Sequence, residues 1–140
     1  MTPTIETIAG WLGAPSETIT AFADGEKYLG ISWKSEVGTY RLVIRIMAEP
    51  DRIIFVVPGI MQMPSPTTPP DRLVTILTLL AEASYSDPLC AWGYDPSDGE
   101  VRLTLAQLLI NGELEEGTFR ALLNHAMRSV EAMIVKLAAA

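Results

Sequence analysis

The side chains best equipped for chemistry are few: this 140-residue chain has one histidine, His125, and one cysteine, Cys90. General-base work needs a partner that positions the imidazole. No second His or Cys stands three or four residues from His125, so a helical metal pair is absent, and His125 is expected to be a partly buried or surface residue of a helix. Cys90 sits in the apolar run Leu89-Cys90-Ala91-Trp92, with Asp87 nearby and no basic neighbour. A reactive thiol needs an electropositive, accessible setting, so a buried, inert thiol is expected. One cysteine allows no intrachain disulfide and no Cys-rich zinc site.

Other chemical signatures are lacking. Gly10 and Gly13 do not make a phosphate-binding loop, and there is no Gly-x-Ser-x-Gly elbow. Asp95, Asp98 and Glu100 bracket Gly99 without the spacing or terminal Glu of a calcium loop, so a solvated hairpin turn is expected there. Glu113, Glu115 and Glu116 fall where a helix should start, where the dipole favours negative charge, so capping is preferred over paired-carboxylate catalysis. No catalytic residue, metal site or cofactor is assigned, and the chain is expected not to be an enzyme. Dispersed carboxylates, whose perturbation only a structure reveals, are the minor alternative.

Three features suit binding instead. Arg41, Val43, Arg45, Ile54 and Val56, with Arg102, fall on one face of the expected strands. Arginine forks bind carboxylates or carbonyls while β-branched neighbours lose water, which suits a protein interface; a solvated outer face is the competing view. Met61 and Met63, in Pro58-Gly59-Ile60-Met61-Gln62-Met63-Pro64, either adapt to varied partners or pack under a loop. Trp92 and Tyr94 share a strand face and serve either as interface anchors or as core.

The elements that position these residues follow from periodicity. Ile5, Ile8, Trp11 and Leu12 recur at helical spacing, with Thr2 as cap, Pro3 at the first helical position and Gly13-Ala14-Pro15 as terminator. Residues 17–23 predict a short strand before an Asp24-Gly25 turn. Leu29, Ile31 and Trp33 alternate with Tyr28, Gly30, Ser32 and Lys34; Tyr40, Leu42, Ile44 and Ile46 alternate with Arg41, Val43, Arg45 and Met47. Arg52 to Val57 is strongly β-branched. These sequential strands with short connections predict antiparallel pairing. Pro58 to Pro70 holds five of ten prolines, predicting a strand end and then an extended connector. Leu73, Ile76, Leu77, Leu80 and Ala81 predict a helix over Asp71 to Ser84. Leu89 to Tyr94 and Glu100 to Leu105 predict two strands around the Asp95–Gly99 turn. Phe119, Leu122, Leu123, Ala126, Met127, Val130, Met133, Ile134 and Leu137 form one helical stripe. The resulting fold class is α+β: two layers, an antiparallel sheet with helices on one face, over residues 1–140 as a single domain.

This order resembles the type III secretion chaperone-like fold, and within it the chain is most similar to the YbjN-like proteins of bacteria. The resemblance rests on the strand run Tyr28 to Val57, the helix from Leu73 to Leu80, the pair Trp92-Gly93-Tyr94 with Gly99-Glu100-Val101-Arg102-Leu103, and the long terminal helix. It implies a non-enzymatic homodimer that holds an extended segment or surface of a partner protein, as a chaperone or assembly factor. A small-molecule-binding regulatory domain, with an apolar pocket between sheet and helices, is the alternative.

Composition agrees. A hydrophobic fraction of 49% with 19% charged residues excludes general disorder. A net charge of −7 argues against a general nucleic-acid binder and against a polybasic membrane anchor. No basic start precedes an apolar run, and no stretch approaches a membrane span, so a cytoplasmic protein is expected.

Overall fold

The structure, a computed structural model, describes residues 3–62 and 69–140. Helix α1 (Ile5–Leu12) starts two residues later than Thr2 and Pro3 suggest. Thr4 is the cap: its hydroxyl accepts the Thr7 N–H and the Thr7 hydroxyl accepts the Thr4 N–H, each at 3.2 Å. This reciprocal pair satisfies two otherwise orphan donors. Gly13, at φ +64, ends the helix.

Strand β1 (Ile19–Ala21) is shorter than expected, because Ser16–Thr18 forms a 3-10 turn in which Thr18 bonds the Pro15 carbonyl. Strands β2 (Lys27–Ser35), β3 (Gly38–Met47) and β4 (Arg52–Gln62) follow, then α2 (Pro70–Ser86), β5 (Cys90–Asp95), β6 (Glu100–Leu108) and α3 (Glu116–Ala139). All pairings are antiparallel, in the order β1-β2-β3-β4-β6-β5. The crossover through α2 sets β6, not β5, beside β4.

β4 does not stop near Pro58. It runs on to Gln62, with a register shift between Val57 and Met61. Pairing with β3 ends at Val43–Val56, and Pro58 falls inside the irregularity of the β6 pairing, so its missing N–H costs little. Gly59 supplies the positive φ of +63 that the irregularity needs, and its N–H donates to Glu100 Oε2 at 3.1 Å. Met63 lies outside the described residues.

One sheet face is buried. Leu29, Leu42, Ile44, Ile53, Phe55, Val57, Leu103 and Leu105 point toward Ile5 and Ile8 of α1 and toward Phe119, Leu122, Ala126 and Val130 of α3. Phe55 stacks on Phe119 with centroids 5.7 Å apart. A second cluster joins Ile76 and Leu80 of α2 to Val101, Met133 and Leu137. All three helices thus lie on one side, in the expected two layers. Glu115 takes the N-cap position of α3 without a side-chain capping bond, and Glu116 instead pairs with Arg120 at 2.9 Å. The acidic start therefore works through charge. No helix among the described residues is long and apolar enough to cross a membrane.

Candidate functional site

Among the described residues no helix lies on the opposite sheet face, which gathers the residues that the sequence marks out. Val43 lies opposite Val56, and Arg45 opposite Ile54. Arg41, Val43, Arg45, Val56 and Arg102 line one shallow hollow of about 380 Å³, with Phe22, Tyr28 and Pro58 completing it. Ile54 lies one pair further along, between Arg45 of β3 and Ala106 of β6. Strand alternation also directs Lys34 and Arg52 outward, so this face carries Lys34, Arg41, Arg45, Arg52 and Arg102. That is half of the ten basic residues, on a chain with net charge −7.

The arginines are held differently. Arg102 pairs with Glu100 at 2.7 Å. Arg41 lies across Gly30, its Nη2 2.9 Å from where a Cβ would stand, so glycine leaves it room. The Arg45 guanidinium carbon sits 4.8 Å from the Phe22 ring centroid. Phe22 in turn contacts Tyr28 at 4.9 Å. Arg45 Nε is buried without a hydrogen-bond partner among the described residues. Among the described residues neither Arg41 nor Arg45 has a carboxylate partner. Two uncommitted guanidinium groups thus flank apolar side chains, an arrangement suited to carboxylates on an otherwise apolar segment. Phe22 and Tyr28 are not among the site residues that the sequence marks out: Phe22, inside the expected strand over 17–23, lies in the turn after β1, and the fold alone sets it beside Tyr28 and Arg45.

The other candidates lie elsewhere. Met61, paired with Val101, packs on the inner side against the cluster of Ile76, Leu80, Met133 and Leu137, so it is not part of the arginine face. Trp92 and Tyr94 are partly buried against the same core. The carboxylates of the β5–β6 turn are occupied: Asp95 accepts from the Ser97 N–H and hydroxyl at 2.9 and 2.7 Å, which holds its pKa below the ordinary carboxylate value, and Asp98 accepts the Glu100 N–H at 3.0 Å.

His125 does have a partner, contrary to what its local spacing suggests. Its Nε2 lies 2.6 Å from Asp87 Oδ2, at the end of α2. Cys90 is buried as expected, and its Sγ donates to Ser129 Oγ at 3.7 Å. Burial, together with the Asp87 charge, pushes the thiol up to about 11, which fits an inert thiol. Burial also raises the Asp87 carboxyl, but hydrogen bonds from His125, the Leu89 N–H and Cys90 outweigh it, and the net shift is downward. Donor atoms of Asp87, Cys90 and His125 all lie within 4.8 Å of one another. The expectation that no metal-ligating group forms rests on local spacing, and the fold overturns that premise by bringing together residues up to 38 positions apart.

An antiparallel six-stranded sheet backed on one side by three helices, in the order α-β-β-β-β-α-β-β-α, defines this chain as having a YbjN-like α+β fold. The crystal structure of YbjN from E. coli matches it with a TM-score of 0.67, over 99% of this chain and 94% of that one, at 11% sequence identity. No protein-family model matches the sequence, and no curated protein matches it. The likeness thus concerns the fold, and it agrees with the resemblance drawn from Tyr28–Val57, Leu73–Leu80 and the Trp92–Leu103 hairpin.

Proposed function

We propose that the chain is a non-enzymatic protein-binding module whose open sheet face docks an acidic, partly apolar segment of another protein. The supporting observation is the pair Arg41 and Arg45, uncommitted to carboxylates among the described residues and flanking the hollow of Phe22, Tyr28, Val43 and Val56. An overall negative chain with a basic face favours a negative partner and disfavours basic ones. A cytoplasmic homodimer acting as a chaperone-like, assembly or regulatory factor belongs to the same proposal, and sedimentation tests the dimer. YbjN itself is described as a candidate transcription regulator.

The test is charge reversal. Arg41→Glu with Arg45→Glu, checked by circular dichroism for an intact fold, should weaken capture of specific partners from the native cell extract by at least about tenfold, since a desolvated charge pair carries roughly 2 kcal/mol or more. Capture unchanged by the substitutions removes this face.

A second, small-molecule reading has one observation in its favour. A hollow between the β2–β3 turn and α3 is lined by Trp33, Val37, Met127, Lys34 and Glu131, and Trp33 Nε1 is buried without an acceptor. An apolar metabolite with one acceptor would suit it. A specific ligand raises the melting temperature by mass action, and a metabolite screen with no shift counts against it.

A further inference from the structure

The three residues that come together at the α2–β5–α3 corner have the chemistry of a metal site. We propose that Asp87, Cys90 and His125 bind one divalent transition-metal ion of zinc character, with a water as fourth ligand. The site is distinct from the arginine face and independent of the docking proposal.

The donor set is one sulfur, one imidazole nitrogen and one carboxylate oxygen. Borderline-soft zinc takes these ligands tetrahedrally, at about 2.3 Å to sulfur and about 2.0–2.2 Å to nitrogen and oxygen, which spaces the donors about 3.4–3.6 Å apart. The three donors already lie within 4.8 Å. Binding therefore requires the Asp87–His125 contact of 2.6 Å to open by about 1 Å, with the Cys90 sulfur, already within 4.8 Å of both, settling at the same spacing. His125 and Asp87 keep 41% and 26% of their side-chain surface exposed, so an ion has a route in, while Cys90 forms the closed floor.

The supporting contacts are also in place. Asp87 Oδ1 accepts the Leu89 N–H at 3.0 Å, which fixes the carboxylate and leaves Oδ2 for the ion. The Cys90 N–H donates to the Asp87 carbonyl at 3.3 Å, tying two ligands into one tight turn. Ser129 Oγ lies 3.7 Å from the sulfur and donates to the His125 carbonyl at 2.8 Å. Its hydroxyl can turn to a thiolate. Such outer partners orient ligands in metal sites. The rise of the Cys90 thiol comes from burial beside an anion; a dication reverses that sign, and binding releases the thiol proton to solvent.

The chain's composition makes the test clean, because Cys90 and His125 are its single cysteine and single histidine. Co²⁺ is titrated into the intact chain, free of oxygen and reduced with a phosphine. One equivalent should produce a near-ultraviolet thiolate-to-cobalt band and visible bands of tetrahedral strength, with no change in sedimentation, and Zn²⁺ should displace it. In the unmodified protein, Zn²⁺ should also displace the His125 ring resonances in step with its binding. Asp87→Asn and His125→Gln, confirmed folded, should each weaken Co²⁺ by at least about tenfold. Absence of the thiolate band, a band seen only in metal-linked dimers, His125 ring resonances unmoved by zinc, or an affinity unmoved by His125→Gln each overturns the proposal.

Discussion

Arg45→Met should leave the protein as stable as before, or more stable, while abolishing part of its binding. Arg45 Nε is buried without a partner among the described residues. Leaving a buried donor unsatisfied costs about 1–3 kcal/mol, and more when the group is charged. The cost sits at the lower end, because Arg45 as a whole is only half-buried. Against it stands the Phe22 ring at 4.8 Å, worth about 0.5–1 kcal/mol at a partly exposed site. Methionine keeps a flexible apolar stem at the position paired with Ile54 and brings no polar atom that needs satisfying. The balance is a gain of between about 0 and 2 kcal/mol. With an unfolding entropy of about 2.1 cal/mol/K per residue, 1 kcal/mol in a chain of this length moves the melting temperature by about 3–4 °C. Urea and thermal unfolding measure the change, and capture of the partner measures the other half. A loss of 1 kcal/mol or more would refute the reasoning, since Arg45 would then be structural and the face would lack a residue held at the expense of stability.

Two further outcomes test the framework around the site. Phe55→Ala, at a fully buried position stacked on Phe119, should destabilise by about 3–5 kcal/mol in urea unfolding, because the sheet centre cannot collapse into the void. Glu6→Gln should cost well under about 1 kcal/mol, since the Lys27 pair at 2.8 Å is half-exposed on both sides. The Lys27 hydrogen bond holds Glu6 below its usual 4.5, so this small contribution is present above that pH and lost as pH falls through the lowered value. The wild-type–variant difference, measured by thermal unfolding, should vanish at low pH and in concentrated salt.

Much of the candidate face is legible in the chain itself. Arg41, Val43, Arg45, Ile54, Val56 and Arg102 alternate with fully buried Leu42, Ile44, Phe55 and Leu103, and a strand sends successive side chains to opposite faces. The stripe from Phe119 to Leu137 likewise marks the covering face of α3 from spacing alone. Boundaries are less legible: Thr4 and Thr7 win the first cap by their reciprocal bonds, and β4 passes Pro58 because its pairing with β3 has already ended.

What the sequence by itself determined is the sidedness of each element, a local consequence of periods near 2 and 3.6 residues. Only the tertiary structure decided the neighbours. It put β6 beside β4, laid Phe22 over Arg45, turned Met61 inward, and brought Asp87 and Cys90 to His125. Each of these contacts requires closing a loop or crossing the sheet, and its free energy comes from burial shared over the whole core, so no spacing along the chain encodes it.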